Sequence, residues 1–426
     1  MRRTKPFLFV AACLLFPYFV TAQTMAQTQT MSRVEASSSR KTDHARLTSQ
    51  AVQSQSAMDD DLLEVTIPQL ETFYATHKYT VTQVVQWHLA RIAKYNGIYR
   101  AVQTLDARGA LATASAEDAD AAAAKSGKSP QRGPMWGVPI LIKANTSVKG
   151  LITTDGWQGY KIPGHELIAP RDATIVAKLR AAGAVILGQT NMPDFADSDT
   201  TRSTAYGRTG NAYDVRFSPG GSSGGTVTSI TSNYAVLGTG TDTGNSIRMP
   251  SATSSVVGVF PTRGLVSIAG IAPLDWLLDN TGPIARTVTD AAIALGVMAG
   301  EDPLDSRTTG SAAKAQPAPY TQYLRADALK GKRFGVPAFI LNGADTPFQG
   351  IPGLGADAAA GRIPLQPETR VAFMKAIEGL RAAGATVVFD DAILPDSYTK
   401  LVNQVKTLPY IREGTENFLK QYGPAQ

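Results

Sequence analysis

The sequence predicts an α/β fold in which a sheet of short buried strands is covered by helices on both faces. Three observations carry this expectation. Helical and strand-like segments alternate along much of the chain, the strand segments are wholly apolar, and the glycine-rich middle is threaded with apolar segments. Continuous apolar strands belong to sheets buried on both sides, because successive side chains point to opposite faces. An apolar-threaded glycine-rich stretch needs a core, which a flexible linker does not.

In chain order, residues 1–22 (MRRTKPFLFVAACLLFPYFVTA) carry three positive charges, an apolar run from Phe7 to Val20, and small residues ending at Ala22. This is the three-part pattern of a secretory signal peptide. The run is shorter than the ~20 residues that span a bilayer. The expectation is export, to a periplasm or to the medium, with no stable membrane insertion once the leader is removed. Val10-Ala11-Ala12-Cys13 also resembles a bacterial lipidation box, but too few apolar residues precede the cysteine, so a lipoprotein is the lesser reading. Residues 23–60 are Gln, Thr, Ser and Ala with scattered charge and no apolar period, the composition of a disordered linker.

Leu62, Val65, Ile67 and Leu70 then start a helical rhythm, which sets the folded domain at 61–426. From Val81 to Tyr95, a helical face collects Val84, Val85, His88, Leu89 and Ile92, with Thr80 or Thr82 as cap. His88 reads as a core-edge histidine. An Ala-rich helix follows over Ala107–Ala124. Gly137–Lys143 (GVPILIK) is a buried strand that ends in a lysine. A helix over Ala173–Ala182 leads into a buried strand at Ala184–Gly188. A second such set comes later: Phe334–Pro337, a helix around Val371–Ala382, then Ala385–Phe389. Between these, Ser218–Gly270 holds Val227–Ile230, Tyr234–Leu237 and Val256–Phe260 as its apolar segments.

Composition narrows the function classes. At 43% hydrophobic and 18% charged, the chain is neither disordered throughout nor a coiled coil. Removing Arg2, Arg3 and Lys5 with the leader lowers the formal charge from +6 to +3, without a long basic run, so nucleic acid is not an expected partner. Cys13 is the only cysteine and lies in the leader, which excludes disulfides, thiolate metal sites and a Cys nucleophile from the mature chain. The histidines are His44, His77, His88 and His165; Ala169 stands where an HExxH motif beginning at His165 would need its second histidine. No metal or other cofactor is expected.

Gly220-Gly-Ser222-Ser-Gly224 fits G-x-S-x-G, but an α/β-hydrolase elbow needs a histidine after its serine, and none follows His165. A lysine is then the remaining candidate base. Ser311–Lys314 and Ser397–Lys400 match S-x-x-K, yet both sit in polar, loop-like contexts and are discounted as chance. Lys143 is different, because it closes an apolar strand. Desolvation favours its neutral form, and a neutral amine can accept a proton. A strand-end lysine on its own would more ordinarily snorkel to solvent.

Three segments settle the comparison with known families: Gly137-Val-Pro-Ile-Leu-Ile-Lys143, Gly220-Gly-Ser-Ser-Gly-Gly225, and Gly238-Thr-Gly-Thr-Asp-Thr-Gly-Asn-Ser246-Ile-Arg-Met-Pro250. In this order they resemble the amidase signature family. The resemblance runs from about Thr66 to the end and includes Gly188–Met192, Gly258–Thr262 and Asp279–Pro283. It implies a single large domain with a central mixed, twisted sheet covered by helices. It also implies a Ser–cis-Ser–Lys triad: Ser246 as nucleophile, Ser222 as bridging serine behind a cis peptide bond, and Lys143 as base. The backbone N–H groups of Thr243, Gly244, Asn245 and Ser246 match the oxyanion hole. Ser223 reads as part of the turn, and Asp242 and Arg248 as a structural ion pair.

Three positions depart from the family pattern. Ala144 stands where members usually have Asp, Asn245 replaces a common Gly, and Ala212 replaces the Pro of an Asn-Pro-Tyr motif. Asn245 is tolerated if its φ is negative or left-handed. Family members also continue about 80 or more residues past the point matched by Tyr410–Tyr422, so the domain is expected to lack its C-terminal part. The function expected is an exported amide hydrolase working through a seryl acyl-enzyme on a small-molecule or C-terminal peptide amide. The alternatives are a glutamine-hydrolysing component of an amidotransferase, or a catalytically silent or truncated member.

Overall fold

A computed structural model describes residues 57–124, 132–337 and 365–423, apart from 394–396, 398–400, 402, 403 and 406. The chain divides into two units, 1–62 and 63–426. Of the first unit, residues 57–62 are described and are helical, so helix begins within the stretch expected to be linker. Ala57 and Met58 are good helix formers, and the three aspartates that follow favour the positive end of a helix. The expected leader lies outside the described residues.

In the second unit, threonine caps set the first two helices. Thr66 and Gln69 form a reciprocal capping box at α1 (Ile67–Ala75), and Thr80 and Gln83 form another at α2 (Val81–Tyr99). Each box satisfies two backbone N–H groups that a helix start leaves without partners. Thr80 rather than Thr82 is therefore the cap. Helix α2 runs on to Tyr99 and stops at Arg100, which takes a left-handed φ of 53°. After β1 (Val102–Leu105), α3 spans Ala107–Ala124.

The central sheet is built from β1, β2 (Val138–Lys143), β3 (Ala184–Thr190), β4 (Leu237–Thr241), β5 (Val257–Gly258) and β6 (Thr281–Ala285), in the order β1-β3-β2-β4-β6-β5. Strand β2 is parallel to both β3 and β4. The outer pairings β1–β3, β4–β6 and β5–β6 are antiparallel, which makes the sheet mixed. Every residue of β2, β3, β4 and β6 is buried. Since alternate side chains face opposite ways, both faces of the sheet are covered. Helices α4 (Thr174–Ala181), α5 (Gly224–Thr231), α6 (Arg248–Thr253) and α7 (Val288–Met298) connect or flank these strands.

Beyond this sheet, β7 (Arg333–Val336) and β8 (Thr386–Phe389) form a separate parallel pair, with α8 (Pro367–Ala382) packed on them through Ile377. Helix α8 starts four residues before the apolar rhythm does, because Pro367 suits the first helical turn. The last described helix, α9 (Ile411–Tyr422), stacks Phe418 on Tyr422 against Leu167 and Ala272. Among the described residues, no helix is long and apolar enough to cross a membrane.

Two features of this frame place the site. Parallel neighbours β2 and β4 end at the same edge of the sheet, so Lys143 and Thr241 finish side by side. Helix α5 then starts at that edge, and Gly224 to Ile230 are all buried. It lies so close to the chain after β3 that a Cβ on Gly225 would sit 2.2 Å from the Asn191 carbonyl oxygen. Gly225→Ala is therefore expected to cost about 1–3 kcal/mol in urea unfolding. Gly97→Ala, in α2 with open space around the added methyl, is expected to be neutral or to stabilise by up to about 1 kcal/mol.

Candidate active site

Lys143 is fully buried at the end of β2, and its side chain is held rather than snorkelling. Its Nζ donates to Ser222 Oγ at 2.7 Å and to Thr241 Oγ1 at 2.8 Å. Thr241 Oγ1 also accepts from Asn145 Nδ2 at 3.0 Å, and the Lys143 N–H donates to Thr239 Oγ1 at 3.2 Å. Two threonines at alternate positions of β4 thus fix both ends of the lysine. Ser222 follows a cis peptide bond from Gly221, as the family resemblance implies. A side chain on Gly221 would strike the Ser198 carbonyl at 2.5 Å, so only glycine fits there. The neighbouring Ser223 donates its hydroxyl to the Thr241 carbonyl at 3.3 Å, a structural bond in keeping with the turn role expected of it.

The 242–246 turn is anchored residue by residue. Asp242 is fully buried, and its carboxylate accepts from the N–H groups of Ile247 and Arg248 at 2.9 and 3.2 Å and from the Arg248 guanidinium at 3.0 and 3.1 Å. Burial pushes this carboxyl up, but the guanidinium and the two N–H donors outweigh it and hold it below its ordinary value. Arg248 also donates to the Gly244 carbonyl and lies over the Phe260 ring at 4.4 Å. Thr243 Oγ1 donates to Asp279, and Asn245 Nδ2 donates to Asp199 Oδ1 at 3.0 Å. Asn245 does not take a positive φ, so it is free of backbone strain.

These anchors leave a cluster of donors. Among the described residues, the N–H groups of Thr243, Gly244, Asn245 and Ser246 have no acceptor. Such clustered, preorganised N–H groups can receive negative charge that develops on a carbonyl oxygen. Ser246 is 7% exposed, whereas Ser222 is sealed at 0%. The two serine turns meet through the main chain, Ser223 N donating to the Ser246 carbonyl at 3.3 Å. Among the described residues, no hydrogen bond joins Ser246 to Ser222.

The electrostatics suit a base. Burial pulls the Lys143 amine down to about 7, against the opposing pull of Asp155, Asp279 and Asp242. The buried Asp279 is pushed up to about 6, although it accepts from Thr243 and from the N–H groups of Leu274 and Asp275. His88 is a buried core residue: its Nδ1 lies 3.3 Å from the Asn233 carbonyl, its Nε2 is buried without a partner, and burial drives it down to about 3. Of the discounted S-x-x-K pairs, Ser311–Lys314 lies on a four-residue surface helix, and Lys400 lies outside the described residues. Reading the residues one by one missed Thr241, Asn145, Asp199 and Asp155. A signal existed for Thr241, since Thr239 and Thr241 alternate within a strand beside Lys143. None existed for Asp155.

The family model described as Amidase matches residues 83–351. A glutamyl-tRNA(Gln) amidotransferase subunit of Streptomyces avermitilis is 39% identical over 282 residues, which cover 65% of this chain and 52% of that protein. Its counterpart in Cutibacterium acnes is 35% identical over 336 residues, or 77% of this chain and 59% of that protein. The chain thus spans about half the length of the curated relatives it matches. Among solved structures, the native peptide amidase of Stenotrophomonas maltophilia superposes with a TM-score of 0.70 at 32% identity, covering 84% of this chain and 69% of that one. An amidase family protein of Bacillus anthracis gives a TM-score of 0.65 at 25% identity, covering 87% and 74%.

The position of Lys143 sets a pH dependence with a definite sign. Below about pH 7 the amine carries a proton and has no lone pair to accept another; above it, the amine is free. Labelling of the protein by a fluorophosphonate should therefore rise as pH increases through about 7 and then level off. Lys143→Ala should slow labelling by about 10²–10⁴-fold at the plateau. Labelling as fast at pH 5 as at pH 8 would show that no such base operates.

Proposed function

The chain belongs to the amidase family, and from that premise we propose that it hydrolyses a carboxamide C–N bond through a seryl acyl-enzyme. The observation that carries this reading is the buried Lys143 amine bound to Ser222 Oγ, beside a turn whose N–H groups await a carbonyl oxygen. Ser246 Oγ attacks the amide carbonyl, and its proton passes through Ser222 to neutral Lys143. The oxyanion is held by the N–H groups of Thr243, Gly244, Asn245 and Ser246. Lys143 returns the proton through Ser222 to the leaving nitrogen, the C–N bond breaks, and water attacks the acyl-enzyme by the same route.

A C-terminal peptide amide or a small amide is the proposed substrate, supported by the likeness to a peptide amidase. We further propose export, on the charge and apolar pattern of residues 1–22. A second reading, glutamine hydrolysis within an amidotransferase assembly, is favoured by the amidotransferase subunits that share 35–39% identity with the chain.

Incubation with a panel of peptide amides, aryl amides and glutamine, with products identified by mass, separates these readings. The first expects free acid and ammonia or amine from the chain alone; the second expects release of ammonia from glutamine that depends on added partner proteins. Ser246→Ala should abolish turnover and fluorophosphonate labelling while leaving thermal unfolding unchanged. Labelling that persists at Ser222 or Ser223 would remove Ser246 from the role. N-terminal sequencing of protein from a cell-envelope fraction should begin after Ala22.

A further inference from the structure

Position 144, directly after the lysine, holds an alanine. Its methyl is fully buried against Met192 and Ala196, with Leu274 alongside, so no carboxylate serves the lysine from that point. Four buried or partly buried carboxylates nevertheless surround this end of the sheet: Asp155, Asp242 and Asp279 face Lys143, and Asp194 faces Asp155. Three of them are already occupied. Asp242 binds Arg248 and two N–H groups, Asp279 binds Thr243 and the N–H groups of Leu274 and Asp275, and Asp194 accepts from Thr204 N and Oγ1 at 2.7 and 2.8 Å.

Asp155 is the exception. It is 3% exposed, and its Oδ1 is buried without a hydrogen-bond partner. Its backbone is locked beside the end of the lysine's strand: the Asp155 N–H donates to the Ala144 carbonyl at 3.1 Å, and its own carbonyl accepts from Phe195 N at 2.7 Å. It holds a left-handed φ of 48°, a conformation that Asp adopts more readily than most residues. The next residue, Gly156, packs so tightly that a Cβ would lie 2.3 Å from the Pro193 carbonyl. A polar oxygen left unpaired in such a dry and rigid place is costly unless a charge forms beside it.

We infer that Asp155 is the positioning carboxylate of this site, holding the proton on Lys143 during acyl transfer. The inference rests on Lys143 acting as the base. When the proton of Ser246 arrives through Ser222, the pair goes from a neutral amine and a carboxylate to an ammonium and a carboxylate. The dry site then holds no net charge from the pair. Burial pushes the Asp155 carboxyl well above its ordinary value, with Asp279 and Asp194 pushing the same way, and pulls the Lys143 amine down; each of the two opposes the shift of the other. Tyr160, also pushed up by burial, is the remaining titratable group facing Asp155.

The test follows the Lys143 amine directly, by ¹⁵N NMR of lysine-labelled protein across pH, with Lys143→Met to identify the resonance. The wild-type midpoint is expected near neutrality, at about 7, and Asp155→Asn should lower it by about one pH unit. The pH profile of fluorophosphonate labelling should shift down with it, and the plateau rate should fall about 10–100-fold. Asp155→Ser removes the same charge and gives the same reading if the Asn variant does not fold. A Lys143 midpoint unmoved in a folded variant overturns the inference. The NMR midpoint reports on Asp155 whether or not any carboxamide is turned over, so failure here is distinct from failure of the hydrolase reading.

Discussion

A lysine amine kept dry at the end of a parallel strand is the constraint on which the rest of the site depends. An exposed lysine is protonated at neutral pH and cannot act as a base. Keeping it neutral requires burial, and burial of a polar amine requires partners that accept its hydrogens without fixing its charge. The fold meets both demands through β2 and β4. Their parallel pairing brings Thr239 and Thr241 beside Lys143, and the turn before α5 supplies Ser222 from the same edge of the sheet. Hydroxyl partners are suited to this because they both accept and donate, so the amine can take up a proton and give it back without rearrangement.

The turn that carries Ser246 is organised by a different principle. Its donors stay available because other groups hold the loop in place. Asp242 gathers Ile247 and Arg248 from beneath, Asp279 holds Thr243, and Asp199 holds Asn245. These are charge-assisted bonds, roughly twice as strong as neutral ones, and they leave the N–H groups of the turn pointing at no acceptor. Preorganisation of this kind lets donors meet a developing oxyanion without reorienting as it forms. The departure at Asn245 becomes intelligible here. Its side chain gives the turn an extra tether, through Asp199.

Legibility in the sequence followed a physical rule. Strands β2 and β3 were readable because their apolar runs are unbroken, and α3 because its alanines leave little else for the chain to do. Strand β6 carries no such run, since Gly282 and Pro283 are poor strand formers and only pairing with β4 makes them a strand. Edge strand β1 was missed because four half-polar residues carry no period. His88, Ser223 and the Asp242–Arg248 pair stand in the structural roles expected of them. Asp155 was invisible, because an aspartate before a glycine in a polar stretch looks like any surface turn.

The chemistry available is legible in the residues alone: no usable histidine or cysteine, a lysine closing an apolar strand, serines in glycine-rich turns, and motifs in an order that resembles one family. Those are properties of residue type and local pattern, and they survive without any knowledge of long-range contacts. Which groups surround the amine is set by long-range packing. Lys143 lies 79 residues from Ser222 and 98 from Thr241 along the chain, and no local rule connects them. Whether a carboxylate is hydrated at the surface or buried with an empty lone pair depends on what packs over it. That packing is a property of the assembled sheet and loops, and no single segment encodes it.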